Sequence, residues 1–205
     1  MPSLASSLAD KFIVHTQELE KTRSKMEALF TGGQVDFIDI EQVYSGIYLD
    51  IFTEFEITIE NLFLGLLSGS LYSRKIPIKR KAKIQSVSMT QQIVFGDRQY
   101  LDWLPYKDKT IPRAEDYFVD GKPFTLLTPA QKSNLDNYCI IRNALAHKSD
   151  IAKIKFQRLI NGLSLLPREK SPTGYLRSCP YSASTQTQYE IFVWELIGMT
   201  KNLCD

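Results

Sequence analysis

Two long stretches of helical periodicity are the feature of this 205-residue chain that most restricts its fold. Each repeats apolar side chains every three or four residues, the spacing that gives a helix one apolar face. The first stretch runs from about Ser3 to Phe30, where Thr-Gly-Gly stops it. The second runs from Val43 to Leu66 and is closed by Gly69. Two such helices favour an antiparallel helical bundle.

The periodicity is lost over residues 71–127. Prolines are frequent here, since five of the nine in the chain lie between positions 77 and 129. Residues 93–104 flank Gly96-Asp97, which is a signal for a hairpin turn. We therefore expect residues 71–127 to be an insertion between the second and third helices, partly irregular or a β-hairpin.

Helical signals return at Thr128. This threonine suits an N-cap, Pro129 suits the first turn, and Gln131 is placed to close a capping box. The third helix that they begin should run to about His147.

Two further helices are expected near the end of the chain. Ser149 is placed to cap a short helix through Ile160, and the final helix is marked by Tyr189, Phe192, Val193 and Leu196. Residues 161–184 between them are rich in Gly, Pro and Ser. The sequence thus predicts an all-α fold, a bundle of about five helices in a single domain of residues 1–205.

Composition excludes several classes of protein. With 43% hydrophobic and 23% charged residues, the chain is typical of globular proteins. Its longest strictly apolar stretch, residues 62–67, is far short of the roughly 20 residues that a membrane helix needs, and no signal-peptide pattern opens the chain. We expect a cytoplasmic protein with no membrane span.

Cysteines and histidines are few and scattered. None of the three cysteines forms a Cys-x-x-Cys pair, and there are only two histidines. Phosphate-loop and dinucleotide-binding glycine patterns do not occur. We therefore expect no structural metal, no disulfide framework and no cofactor.

Charge is unevenly distributed along the chain. Residues 1–70 carry a net charge of −7, residues 71–127 carry +5, and residues 128–205 carry +4. This bias favours a molecule with one face suited to a polyanion.

The third helix contains one anomaly, an arginine on its apolar face. Arg142 falls near the middle of a face formed by Leu135, Tyr138, Cys139, Ile141, Leu145 and Ala146. A buried charge without a partner costs several kcal/mol, so this guanidinium needs an anionic partner or a cleft. Asn143 and His147, four residues apart, share an adjoining strip. An arginine, an amide and an imidazole therefore converge at the end of one helix.

Two interpretations of this cluster are open. In the first, Arg142 forms a core ion pair, with Glu56 as a candidate partner, and His147 merely finishes the helix. In the second, the cluster is an acid/base site in which the imidazole moves protons and the arginine neutralises a phosphate.

Two sequence motifs favour the second interpretation, the acid/base site. Residues 140–147, Ile-Ile-Arg-Asn-Ala-Leu-Ala-His, resemble the Arg-x(4–6)-His signature of the HEPN superfamily (higher eukaryotes and prokaryotes nucleotide-binding). Residues 55–62, Phe-Glu-Ile-Thr-Ile-Glu-Asn-Leu, resemble the Glu-bearing helix of HEPN nucleases related to the RiboL-PSP group. Together these motifs lie on two helices of an all-helical chain, so the resemblance implies a HEPN-like helical bundle.

The resemblance also implies a function and a site. It implies a metal-independent endoribonuclease, commonly a toxin or phage-defence effector, that works as a homodimer. Arg142 and His147 would be catalytic, Asn143 a polar helper and Glu56 a supporting acid. His147 would assist proton transfer as a ribose 2′-hydroxyl attacks the adjacent phosphorus, while Arg142 stabilises the charge on the phosphoryl oxygens. An antitoxin or another defence-system protein is an implied partner.

Helix geometry supplies a separate reason to expect a dimer. A regular helix places Arg142 and His147 about 140° apart, so we do not expect one chain to form a compact site by itself. Two motif helices facing one another would bring both residue types together.

A basic run in the insertion is a candidate RNA contact. Residues 74–83 hold six basic and no acidic side chains, and aromatic residues follow at Tyr100, Trp103 and Tyr106. The run is either a solvated loop or a surface for single-stranded RNA. The predicted RNA-binding residues are Lys79, Arg80, Lys81, Lys83 and Lys148.

Two alternative functions stay open at the level of the sequence. The chain is either a catalytically inactive HEPN module that binds RNA or nucleotide, or a helical dimerisation protein in which Arg142 is structural.

Overall fold

The computed structural model describes residues 2–84, 86–147, 149–180 and 185–205. Eight α-helices are present in these parts of the chain, and they confirm the all-α prediction. The helices are α1 Ser6–Thr31, α2 Phe37–Ser68, α3 Val87–Phe95, α4 Tyr106–Tyr117, α5 Pro129–Ala146, α6 Asp150–Ile160, α7 Pro172–Arg177 and α8 Gln188–Cys204. The strands β1, Ser3–Leu4, and β2, Leu71–Tyr72, form a small parallel pair. In the described parts of the chain, no helix combines the length and apolar character that a membrane crossing requires.

The chain divides into two compact units. The first unit comprises residues 1–13, 54–136 and 197–205, and the second comprises residues 14–53 and 137–196. The long helices α1, α2, α5 and α8 each contribute residues to both units.

Aromatic side chains fill the core of the first unit. The ring of Phe63 lies 5.0 Å from that of Trp103, 5.1 Å from that of Phe118 and 5.4 Å from that of Phe124. All four side chains are buried. Such clusters of large rings contribute both apolar burial and edge-to-face contacts. They tie α2 to the segment that follows α3.

The predicted β-hairpin is wrong, because residues 87–95 form helix α3. The Ser86 hydroxyl accepts a hydrogen bond from the backbone N–H of Met89 at 3.1 Å and so caps the helix start. Gly96 follows the last helical residue with a φ of +58°, a conformation that glycine adopts readily. Gly96 therefore ends a helix and does not turn a hairpin. The segment 71–127 also holds α4, so it is more helical than its proline content indicated.

The helix-start signals after residue 127 are confirmed. Thr128 and Gln131 exchange two hydrogen bonds, of 2.9 and 3.2 Å, in a reciprocal capping box. The Ser149 hydroxyl accepts from the backbone N–H of Ala152 at 3.3 Å and caps α6. The helix that carries the motif thus begins where its sequence predicts.

In the second unit, α1 and α2 run antiparallel. His15 Nε2 lies 3.0 Å from an oxygen of Asp50, and further along both helices the Tyr44 hydroxyl donates to Glu27 at 2.7 Å. The ring of Tyr48 on α2 stacks on that of Phe192 on α8 with centroids 4.2 Å apart. These contacts join α2 to both α1 and α8 within the second unit.

Candidate catalytic site

The predicted site lies at the C-terminal end of α5, in the second unit. The helix ends at Ala146, and the backbone N–H of His147 still bonds to the carbonyl of Asn143 at 2.9 Å. The side chain of His147 is exposed, while those of Arg142 and Asn143 are half-buried. The imidazole is therefore open to a ligand from solvent.

Arg142 and His147 meet within one chain. Arg142 Nη1 lies 3.4 Å from His147 Nε2 and 3.1 Å from the Oδ1 of Asn143. The expectation that one chain would hold the two residues apart is wrong. A helical wheel compares only the directions in which the Cβ atoms point. The arginine side chain is long enough to reach around the helix, and His147 lies just beyond the helix end, so the two groups meet. The 140° separation on the helical wheel is therefore no longer a reason to expect a dimer.

Asn143 holds the arginine in place. Its Oδ1 accepts from Arg142, and its Nδ2 donates to the Sγ of Cys139 at 3.7 Å. Because Cys139 is buried, this contact anchors the amide on the core side of α5. A chain of polar contacts therefore runs from Cys139 through Asn143 to the guanidinium.

The charge of Arg142 is not neutralised by a carboxylate within its own unit. Among the described residues of the second unit, no Asp or Glu oxygen lies within 4.0 Å of this guanidinium. Glu56, the predicted supporting acid, is half-buried on α2 in the first unit. Its pairing with Arg142 stays a prediction. Within the second unit, the guanidinium therefore contacts a neutral amide and an imidazole.

Two tyrosine hydroxyls, whose hydrogen bonds the sequence did not predict, hold α5 in position. The hydroxyl of Tyr48 donates to the backbone carbonyl of Tyr138 at 3.0 Å, and Tyr138 donates to Glu195 at 2.6 Å. Burial raises the pKa of Tyr48 well above the usual value for a phenol, so its hydroxyl remains a donor. Burial and the bond to Glu195 raise the pKa of Tyr138 as well. Tyr138 belongs to the apolar face predicted for the third helix, but neither hydrogen bond has a local signal in the sequence.

The basic run lies in the first unit and is less uniform than predicted. Lys79, Lys81 and Lys83 are exposed, but Arg80 is half-buried and donates from Nη1 to the carbonyl of Leu67 at 3.1 Å. That bond satisfies a carbonyl in the last turn of α2, where a cation is also favoured by the helix dipole. Arg80 is therefore a helix-capping residue. Lys148, the fifth predicted RNA contact, lies outside the described residues.

The aromatic residues near the basic run also differ in exposure, since two are buried and one is exposed. Trp103 and Tyr106 are only 2% and 0% exposed, so they are core residues and are not part of a surface for single-stranded RNA. Tyr100 is 76% exposed. Trp103 donates from its indole N–H to Glu60 at 2.9 Å, which satisfies its one polar atom inside the unit.

Comparison with known proteins gives no assignment. No family model matches the sequence, and no curated protein or solved structure is significantly similar to it. In the described part of the chain, no three His, Cys, Asp or Glu side chains are placed together as metal ligands. The functional argument therefore depends on the cluster at the end of α5.

Proposed function

We propose that this protein is a HEPN-like endoribonuclease that cleaves RNA without a metal, using Arg142 and His147. The observation that carries the proposal is the 3.4 Å approach of Arg142 Nη1 to the exposed His147 Nε2. A guanidinium only donates hydrogen bonds, so a hydrogen bond between the two groups requires the tautomer of His147 in which Nε2 carries the lone pair. A proton acceptor and a permanent cation then lie side by side at the surface.

The pair suits the two demands of RNA cleavage. The imidazole accepts the proton of a ribose 2′-hydroxyl as its oxygen forms a bond to the adjacent phosphorus. The bond from phosphorus to the 5′-oxygen breaks, and that oxygen takes up the proton that the imidazole accepted from the 2′-hydroxyl. The guanidinium donates to the non-bridging phosphoryl oxygens, where negative charge builds in the transition state. The products are a 2′,3′-cyclic phosphate and a 5′-hydroxyl.

The residues around the pair orient it. Asn143 fixes one edge of the guanidinium, and Tyr48 holds the turn of α5 that precedes Arg142. A preorganised donor stabilises charge without reorganisation during the reaction. In this proposal Glu56 is a supporting acid, and the exposed lysines of the basic run contact the RNA backbone.

The biological setting follows from the motif resemblance. We expect a homodimeric toxin or phage-defence effector acting on cytoplasmic RNA, restrained by an antitoxin or another partner protein. In the HEPN toxins that a nucleotidyltransferase antitoxin controls, a tyrosine follows the histidine by two residues. Ser149 stands at that position here, so control of that kind is not expected.

The two histidines of the chain allow a matched test. Total RNA is incubated with wild type, His147→Ala and His15→Ala in the presence of excess chelator. Loss of a general base should lower the cleavage rate by about 10²–10⁴-fold in His147→Ala. His15, which pairs with Asp50 on the surface, should tolerate its replacement with cleavage unchanged. Equal cleavage by wild type and His147→Ala would show that His147 is not a catalytic residue.

A further inference from the structure

A cavity in the second unit lies among residues that the proposed cleavage reaction does not use. Its volume is about 300 Å³, and it is lined by Phe30, Phe37, Arg168, Glu169, Gly174 and Arg177. This volume is at the lower end of the range for small-molecule sites, enough for one compact ligand.

One wall of the cavity is a guanidinium fixed by its surroundings. Arg177 donates from Nε and Nη2 to the two carboxylate oxygens of Glu27, at 3.1 and 3.3 Å. Its Cζ lies 4.8 Å from the ring centroid of Phe30, 5.6 Å from that of Tyr44 and 5.9 Å from that of Phe37. The two bonds to Glu27 and the packing on these rings fix the position of this positive charge, and guanidinium groups also stack on flat aromatic rings.

Two phenylalanine rings form an apolar wall beside it. The centroids of Phe30 and Phe37 lie 6.4 Å apart, with the planes tilted by 55°. Phe37 is 41% exposed and Phe30 is half-buried, so part of each ring remains open to a ligand. Flat ligands stack on such surfaces.

A second guanidinium, that of Arg168, lies at the cavity. Among the described residues, the exposed side chain of Arg168 makes no hydrogen bond or ion pair. The two carboxylates nearby are already bonded: Glu27 to Arg177, and Glu169 to the backbone N–H of Leu166 at 2.9 Å. The donors of Arg168 and the remaining donors of Arg177 are therefore the polar groups left for a ligand.

We propose that this cavity binds a planar aromatic anion, whose ring stacks against Phe37 and the Arg177 guanidinium and whose phosphate or carboxylate pairs with Arg168. The site is independent of the proposed cleavage reaction and uses none of its residues. Burial raises the pKa of Glu27, but hydrogen bonds from Arg177 and Tyr44 outweigh burial and place the pKa below its usual value. The ion pair that fixes the wall therefore persists at neutral pH.

Four probes separate the parts of this chemistry. Adenosine monophosphate and 1-naphthoate each carry a ring and an anion, adenosine lacks the anion, and inorganic phosphate lacks the ring. Titration calorimetry should give a Kd below about 1 mM for at least one of the first two. Adenosine and phosphate should each bind about tenfold more weakly than the better anionic ring. Preference for the monophosphate or for the naphthoate shows which of the two anionic rings fits the cavity better.

Two variants on one turn test the assignment of residues. Arg168→Ala should weaken binding of the better probe by about tenfold, because it removes the unpaired guanidinium. Lys170→Ala is the matched control, since Lys170 is an exposed cation on the same turn and does not line the cavity. It should leave the Kd within about twofold. Failure of both anionic rings to bind, or equal binding by Arg168→Ala and wild type, would overturn the proposal.

Discussion

At the residue scale, the proposed chemistry depends on a guanidinium that no carboxylate of its own unit neutralises. The Oδ1 of Asn143 lies 3.1 Å from Arg142 Nη1. Because asparagine differs from aspartate only in its amide group, substitution of this residue tests whether cleavage needs an arginine that no carboxylate neutralises. An amide orients the arginine and leaves its charge free, whereas a carboxylate would pair with it.

We predict that Asn143→Asp loses more RNA cleavage than Asn143→Ala. The aspartate would compete with the phosphoryl group for Arg142, and we expect about 10²-fold loss against about tenfold for alanine. The free energy of unfolding of Asn143→Asp should stay within about 1 kcal/mol of wild type, because the ion pair with Arg142 offsets the lost hydrogen bond to Cys139. Single-turnover cleavage and urea unfolding measure the two quantities. An aspartate variant as active as the alanine variant would show that the free charge of Arg142 does not matter.

The pair of Glu27 and Arg177 makes a second prediction at this scale, about stability. Since the folded pKa of Glu27 is depressed, its stabilisation is fully present above the unfolded value near pH 4.3. This stabilisation is lost as the pH falls through the pKa that Glu27 has in the folded protein. Glu27→Gln should therefore lower the free energy of unfolding by about 1–2 kcal/mol at pH 7, and by less at about pH 3. Urea titrations of both proteins at the two pH values measure this. A difference that does not shrink in acid would mean that the carboxylate charge contributes nothing.

At the scale of elements, side chains at helix ends decide which basic residues can meet RNA. Arg80 belongs to the C-terminal end of α2, while Lys79 and Lys83 extend into solvent. Replacing both lysines by alanine should reduce the slope of log K against log salt for single-stranded RNA by about 1.4, or about 0.7 for each phosphate contact.

The matched variant Arg80→Ala should have a different effect. It should leave that slope unchanged and lower the free energy of unfolding by about 1 kcal/mol, because a carbonyl of α2 loses its donor. Filter binding at four salt concentrations and thermal unfolding separate the two outcomes. A slope change in Arg80→Ala equal to that of a lysine variant would restore Arg80 to the RNA surface.

Elements with local signals could be predicted from the sequence, and those fixed by tertiary contacts could not. The capping box of Thr128 and Gln131 fixed the start of α5 because all its partners are adjacent in the chain. Helix α3 was missed because Gly96 signals a hairpin turn and a helix end equally well. The contact of Arg142 with His147 was missed because it depends on side-chain reach beyond a helix end. The Tyr48 anchor pairs residues 90 positions apart, which no local pattern records.

For the whole molecule, the contact between Arg142 and His147 within one chain means that a second chain is not needed to bring these two residues together. Each chain carries Arg142 and His147 side by side, so a homodimer would hold two complete pairs. We predict that mixing Arg142→Ala and His147→Ala chains restores no cleavage, while light scattering still reports a dimer at micromolar concentration. Recovered activity in the mixture would mean that the reacting pair is shared between two chains.

The central claim is that a ribose 2′-hydroxyl of the substrate attacks under the control of His147 and Arg142. The most direct measurement is the cleavage of one RNA oligonucleotide in chelator, compared with the same oligonucleotide carrying a single 2′-deoxy substitution at the cut site. The RNA should give a 2′,3′-cyclic phosphate and a 5′-hydroxyl, and the substituted oligonucleotide should not be cut at the 2′-deoxy position. Cleavage at the 2′-deoxy position, or products with a 5′-phosphate, would contradict it.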